Sequence, residues 1–481
     1  MANKDFSYGS MAVPSGEARY SILRWGWGGL NRSDLIDSGQ ITDCDGVIID
    51  PPYVLPSPAL RPFRDYAEPI GVYGFDDFLL VLYRSGGKIM GDYCVGDAVY
   101  TGTIASAKGT AEDFVHRSVV QFNVAEGVEN IVSAHYVRKL LIFPDRVSMD
   151  FHITGSFTVS SLGSTYPSLK YATVYGSRVF GVDDNLVYAS AYNDYADWDL
   201  DTADDTSSAN AWVSMSQSNA KADGIFTGIY TYDNHVVLFK KDFTQLVYND
   251  KNPFRIVDVT SYGAANPRAF AEAEGVLYFA SADMVYAFTG GMPSAIGEGL
   301  GSVNYRDCCM GAYKGRVYVS AGGVLYRYKD GVWSSRVLDK PILQFAVNEN
   351  GLYGMVSDGV ILVDWADSAS EESSFGSWWF ETDFMAAGKL NIRRVKKITV
   401  LCQIARGASV SVYLLRNGEK FDPASSRKVL ESRGHGWRTL CGLVRGMSAD
   451  MHRLRFVGSG YVKVHAAELQ ISLGGELYKE H

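Results

Sequence analysis

The chain has 481 residues, of which 47% are hydrophobic and 21% charged, with a formal net charge of −9 at pH 7. That much apolar material supports a substantial core and excludes global disorder. The acidic balance argues against a dedicated DNA-gripping surface, which needs clustered Lys and Arg. The cysteines (Cys44, Cys94, Cys308, Cys309, Cys402 and Cys441) form no CxxC pair and have no His at ligand spacing, so they read as buried thiols in a reducing compartment. The first residues show no basic-then-apolar leader, and no run approaches the ~18 apolar residues that span a bilayer. The expectation is a chain that stays in the cytoplasm in which it is made, unless it leaves inside an assembly.

In chain order, residues 1–20 are polar with Gly and Ser, and read as an arm that is either mobile or ordered by a partner. Trp25 and Trp27 follow, set among glycines. They suit either an exposed anchor for a partner or a pair packed under a loop. The proline cluster Pro51, Pro52, Pro56, Pro58 and Pro62 cannot sit inside a helix or a central strand. Residues 45–65 therefore read as an extended connector, and 1–69 as an extended N-terminal arm.

A repeat begins at about residue 70. Its unit is strand, tight turn, strand, tight turn, strand. Copies centre on Phe78–Met90, Lys139–Phe143, Tyr171–Ser190, Gly228–Tyr248, Pro267–Gly291, Met310–Gly331 and Leu343–Trp365. The aliphatic–aromatic pairs Leu277-Tyr278, Val317-Tyr318 and Leu352-Tyr353 recur at a spacing of about 35–40 residues, the period of a propeller blade. The turns use X-Gly pairs such as Glu274-Gly275, Lys314-Gly315 and Asp330-Gly331, which close two-residue hairpins because glycine accepts positive φ. One such unit cannot bury both faces alone, so units stack around an axis. The spacing stretches at 92–130 and 193–222, which read as insertions.

The acidic, Ser-rich run 367–374 reads as a linker. Beyond it, alternating segments such as Val395–Leu401, Ser409–Leu414 and Val462–Ile471 predict a separate β-sandwich. The predicted fold is all-β: a six- or seven-bladed β-propeller over 70–366, a C-terminal β-sandwich over 375–481, and an extended N-terminal arm over 1–69.

Chemistry-bearing motifs are sparse. The eight histidines are scattered, without an HExxH pattern. The acidic loop 193–205 spaces carboxylates two apart, as a cation loop does, but lacks the glycine and closing glutamate of an EF-hand. Gly26–Gly29 lacks the Lys-Ser/Thr of a P-loop, and no GxSxG elbow occurs. The expectation is a chain that is not an enzyme, with no catalytic residue, no cofactor and no metal.

Short motifs add a resemblance. Gly28-Gly29-Leu30-Asn31, Asp34, Gly39–Cys44 and Leu60-Arg61-Pro62 resemble the opening of tailed-bacteriophage virion proteins of the tail-hub, nozzle and packaged-DNA-stabilisation type, which carry a β-propeller. Val187–Trp198 is similar to a blade element of those proteins, and Trp379, Thr382-Asp383, Lys396–Ile398, Leu454–Gly458 and Glu468-Leu469 to their C-terminal pattern. Phe63 stands where glycine usually follows Arg-Pro, and Asn193 where glycine precedes Asp194. The resemblance implies a homo-oligomeric ring of six copies below the portal, without catalysis. It would contact portal, adaptor and tail proteins, pass double-stranded DNA through its centre, and reside in the virion tail after assembly in the host cytoplasm. Trp25, Trp27 and Arg61 are the candidate interface residues. The alternatives are a propeller adhesin that binds host glycan and a propeller enzyme that cleaves it.

Overall fold

The X-Gly pairs turn the chain through backbone conformations that few other pairs accept. Glu274 and Gly275 take φ of 51° and 74°, Lys314 and Gly315 46° and 73°, and Asp330 and Gly331 50° and 84°. Two successive positive φ values define the type I′ turn, whose twist matches that of the strands it joins. Asn350-Gly351 turns differently: the Asn348 side chain accepts from both backbone N–H groups, at 2.9 and 3.2 Å.

The computed structural model describes residues 12–13, 19–33, 39–106, 116–123, 138–151, 157–200, 209–214, 224–248, 254–366, 368, 370, 373–385, 393–416, 418–445, 447–449 and 451–473. Much of the predicted insertions at 92–130 and 193–222, and Asp34, lie outside them. The described chain is all-β, with a single 3-10 turn at Glu298–Leu300.

Seven four-stranded antiparallel sheets succeed one another among the described residues, and each predicted copy falls on one of them. Their innermost strands are Pro69–Phe75, Ser118–Asn123, Tyr171–Tyr175, Phe226–Tyr232, Phe270–Ala273, Cys309–Tyr313 and Gln344–Asn348. This is the arrangement of a β-propeller. First and last sheets meet. Gln344 Nε2 donates to Val72 O at 2.7 Å and Glu349 N to Asp76 O at 2.9 Å. A Cβ on Gly74 would stand 1.9 Å from Val347 O, so only glycine permits the approach.

The last sheet completes itself from far away in the chain. Gly359–Trp365 pairs with Arg61–Asp65, which is its outermost strand. Residues 61–65, read from the sequence as part of a connector, are instead a sheet strand, because without them the edge of Gly359–Trp365 would be unpaired. Phe63 anchors this strand edge-on to Tyr353, ring centroids 5.1 Å apart. Phe63→Ala is expected to cost about 2–4 kcal/mol in a denaturant melt.

Two further sheets lie beside the seven. One joins Arg19–Trp25, Val462–Leu473, Arg393–Ile404 and Gly436–Leu443 in that order, with the hairpin Val47–Asp50/Tyr53–Pro56 at its side. The other runs Ile41–Asp45, Ser377–Thr382, His452–Ser459, Ser409–Arg416, Arg427–Ser432. Their apolar sides share one core, including Val395, Ile398, Leu469, Phe380, Val412 and Phe456. That core continues into Val319, Tyr326 and Trp333 of the sixth propeller sheet. N-terminal strands are thus built into both sheets.

Ser368, in the predicted linker, is buried, and its hydroxyl donates to Asp364 at 2.7 Å. Proteolysis near residues 369–374 is therefore expected to leave two fragments that co-elute on a sizing column. Separation into independently folded pieces would contradict the shared core.

Candidate functional site

The seven inner strands run the same way along the axis, so one end of the tunnel gathers their starts and the other their ends. Two cavities of about 280 Å³ each lie along it. At the starts sit His116, Arg117, Tyr171 and Tyr73, with Arg268 beside them. Arg117 is clamped by Asp145, Nε to Oδ2 at 2.6 Å. Tyr73 donates to Arg117 O at 3.0 Å. Arg268 Nη1 donates to Leu343 O at 2.8 Å.

Burial, then the Arg268 and Arg117 cations, push the His116 pKa down to about 3. The folded chain therefore holds His116 neutral where an unfolded chain would protonate it, near pH 6.5. Its contribution is complete above about 6.5 and is lost as pH falls towards 3, because there the unfolded state binds the extra proton. His116→Asn is expected to flatten that part of the stability–pH curve, measured by urea melts.

The opposite end carries more acids than bases among the described turns, with Lys314 the exposed base on one of them. Asp76, Asp233, Glu274 and Glu349 stand exposed on the turns between first and second strands, and Asp97 and Asp330 on those between third and fourth. Chain-wide net charge hides a partition. Residues 375–481 carry 17 Lys and Arg against 9 Asp and Glu, and the rest of the chain 28 against 45. Part of the excess gathers where one sheet end meets its neighbour: Lys397 pairs with Leu443, Val444 N donates to Lys396 O at 2.9 Å, and Arg427 donates to Arg445 O. Beside it the edge strand Gly436–Leu443 exposes Trp437 (59%) and Leu443 (77%). Counting charge by segment would have revealed this partition in the sequence.

The opening motif forms a joint between the propeller and the flanking sheets. Gly28 N donates to Gly39 O at 2.9 Å, Ile41 N to Gly29 O at 3.1 Å and Leu30 N to Trp333 O at 2.9 Å. A Cβ on Gly29 would stand 3.2 Å from Trp333 N. Asn31 Nδ2 donates to Gln40 Oε1 at 2.7 Å. Arg32 binds Asp43 Oδ1 at 3.0 and 2.6 Å and reaches Ser335 Oγ in the sixth propeller sheet at 3.3 Å. Beneath lies a buried pair: Arg24 Nε and Nη2 donate to the Asp383 carboxylate at 3.2 and 2.8 Å, and Gly39 N joins at 3.3 Å.

The sequence-predicted interface residues separate. Trp27 is 2% exposed, edge-on to Phe380 and Phe456 at centroid distances of 5.4 and 5.9 Å. It is a core residue, not an exposed anchor, because the two flanking sheets close over it. Trp25 pairs through its backbone with Ala466, and its side chain lies outside the described residues. Arg61 is exposed and stacks on Trp365, with the guanidinium carbon 3.9 Å from the ring centroid. In the acidic loop, Asp194 and Asp197 cap their own turns by accepting from Ala196 N and Asp199 N at 2.7 and 2.9 Å, and 201–205 lie outside the described residues. Asn193 has φ 60°, a left-handed conformation that asparagine tolerates, which explains how it replaces glycine there. No group of three or more His, Cys, Asp or Glu able to hold a metal ion occurs among the described residues. No helix among them is long and apolar enough to cross a membrane.

No protein-family model matches the chain, and no curated protein matches it in sequence. Among solved structures it is similar to a streptogramin B lyase, at 10% identity and a TM-score of 0.41, over 64% of this chain and 96% of that one. It is also similar to a catalytically inactive virginiamycin B lyase from Staphylococcus aureus solved with quinupristin, at 8% identity and a TM-score of 0.42, over 64% and 98%. A third is a luciferin-regenerating enzyme, at 10% identity and a TM-score of 0.32, over 63% and 94%. The expectation that the chain is not an enzyme is corrected here. These neighbours include enzymes, and a propeller tunnel brings together side chains from separate sheets, so missing linear motifs do not exclude catalysis. At this distance the likeness assigns the chain no activity.

Proposed function

We propose that the chain is a bacteriophage virion component of the head–tail connector or tail, a hub or nozzle subunit bordering the DNA exit channel. Its seven four-stranded sheets are then seven propeller blades closed by the N-terminal strand Arg61–Asp65, with the two flanking sheets as a β-sandwich. The observation that carries the reading is the joint. Gly28, Gly29, Asn31, Gln40 and Asp43, residues on which the resemblance rests, converge there and fasten sandwich to propeller. Such a rigid two-part subunit suits a mechanical assembly. The charge partition supports the same reading, since a basic sandwich edge and an acidic propeller rim on one subunit favour head-to-tail contact, and heterologous contacts close into rings. In this reading six copies form the ring, portal or adaptor and tail proteins flank it, and double-stranded DNA passes through with weak, salt-sensitive contact.

The test is light scattering and electron microscopy of the purified protein, alone and with the co-produced virion neighbours, together with antibody labelling of particles. Rings and labelled tails are expected. A chain that stays monomeric under both conditions, leaves particles unlabelled and binds a glycan array would overturn the reading in favour of an adhesin.

A further inference from the structure

Among the described residues the strand Gly436–Leu443 is an open sheet edge. It pairs on one side with Arg393–Ile404 and ends its sheet there. Val444 N, just beyond it, donates to Lys396 O at 2.9 Å. Residues of an antiparallel strand alternate between facing the partner strand and facing away, so Trp437, Thr439, Cys441 and Leu443 turn their backbone N–H and C=O groups outward. The same four residues are exposed, Trp437 at 59% and Leu443 at 77%, and His465 supports the indole at a centroid distance of 4.3 Å. Edges are commonly blunted by proline, by several charges or by brevity. This one is 8 residues long and carries a single charge, Arg438. Cations border it: Lys397, paired with Leu443, and the exposed Arg427 and Arg445. The nearby Glu431 is already engaged by Lys428 and Arg433, at 3.1 and 3.4 Å.

The chain carries a surface of matching chemistry. Between the third and fourth strands of the third propeller sheet, Asp194, Asp197, Asp199 and Leu200 are exposed, Leu200 at 40%. Trp198 anchors this loop by donating from Nε1 to Tyr195 O at 2.9 Å, and Asp197–Leu200 belongs to no sheet. The flanking sheets share their core with the fifth and sixth propeller sheets, through Ala273 and Val319. Loop and edge thus belong to different sides of the seven-sheet arrangement, which directs the loop to the edge of another copy. We propose that the open edge docks the Asp194–Leu200 loop of a second copy of this chain. Leu200 lies against Trp437 and Leu443, the aspartates against Arg438 and Arg445, and the backbone of Asp199 and Leu200 along the outward groups of the strand. Opposite charges across such a contact fix the partner and its orientation. The inference rests on the head-to-tail reading of the charge partition and names the residues that make that contact.

Sedimentation velocity of the whole chain and two charge-reversed variants tests it. One variant is Asp197→Asn with Asp199→Lys, in which asparagine keeps the turn cap that Asp197 provides to Asp199 N. The other is Arg438→Glu with Arg445→Glu. The parent should self-associate, less tightly as salt rises. Each variant alone should associate at least about tenfold more weakly, with a thermal melt like the parent's. An equimolar mixture of the two should recover association, because each then meets an edge or loop of opposite charge. Leu443→Ser, which removes an exposed side chain, should weaken association as well and decides the matter if a charge-reversed variant fails to fold. Variants that associate as the parent does, or a mixture that recovers nothing, would overturn this contact and leave the ring to another surface. A parent that stays monomeric at every concentration, alone and with the virion neighbours, would overturn the contact and the ring together.

Discussion

Replacing Trp27 with Ala is expected to unfold the chain at much lower denaturant concentration, with a loss of about 3–5 kcal/mol. The indole is 2% exposed and meets Phe380 and Phe456 edge-on, so its removal leaves a cavity lined by rigid rings. Those rings are themselves stacked, Phe380 on Phe456 at 4.5 Å and 6°, and cannot collapse inward without breaking that contact. Trp27→Phe should recover part of the loss, because it restores an aromatic edge but not the full volume. Guanidinium melts followed by far-UV circular dichroism give the number. A Trp27→Ala chain as stable as the parent but slower to self-associate would show that the residue meets a partner after all.

Asp383→Ala is expected to cost a similar amount, about 3–5 kcal/mol, because it strands a buried arginine. Arg24 and Asp383 are both almost fully inside, with side-chain exposures of 7% and 6%, and meet at 2.8 Å. The same carboxylate also receives Gly39 N, so its loss loosens the turn that carries Gln40 and Ile41 into the joint. The double change Arg24→Met with Asp383→Leu should recover most of the stability, since two packed apolar groups remove the stranded charge along with its partner. If the single and double variants melt alike, the pair is not the source of the loss. Because the pair joins positions 359 residues apart, the single variant should also increase protease access to the N-terminal segment.

What could be read from the sequence was local. Strand–turn–strand units at Pro267–Trp365 were legible because both signals in them, period-2 alternation and X-Gly turn chemistry, act within about ten residues. The observed strands Val276–Ala280, Arg316–Ala321 and Gly359–Trp365 lie where those signals put them. The outer strands were harder. Ser294–Ala295 is two residues long, too short for any periodicity, and Arg61–Asp65 contains a proline and alternates weakly. A proline-containing strand is tolerated because it lies at the edge of its sheet.

The site followed the same divide. The glycines and polar residues of the opening motif were visible as a pattern, but their role was not, since their partners Trp333, Ser335 and Asp383 lie about 300 residues away or more. Trp25 and Trp27 looked alike in sequence, and only the closing of two distant sheets decided that Trp27 is core. The sequence by itself determined which residues form hairpins and where they turn, and narrowed the copies to six or seven. Tertiary structure alone decided how the ends of the chain close the last sheet and what Trp27 touches. Backbone conformation and alternation are properties of neighbours along the chain, whereas burial and pairing depend on which distant segment arrives.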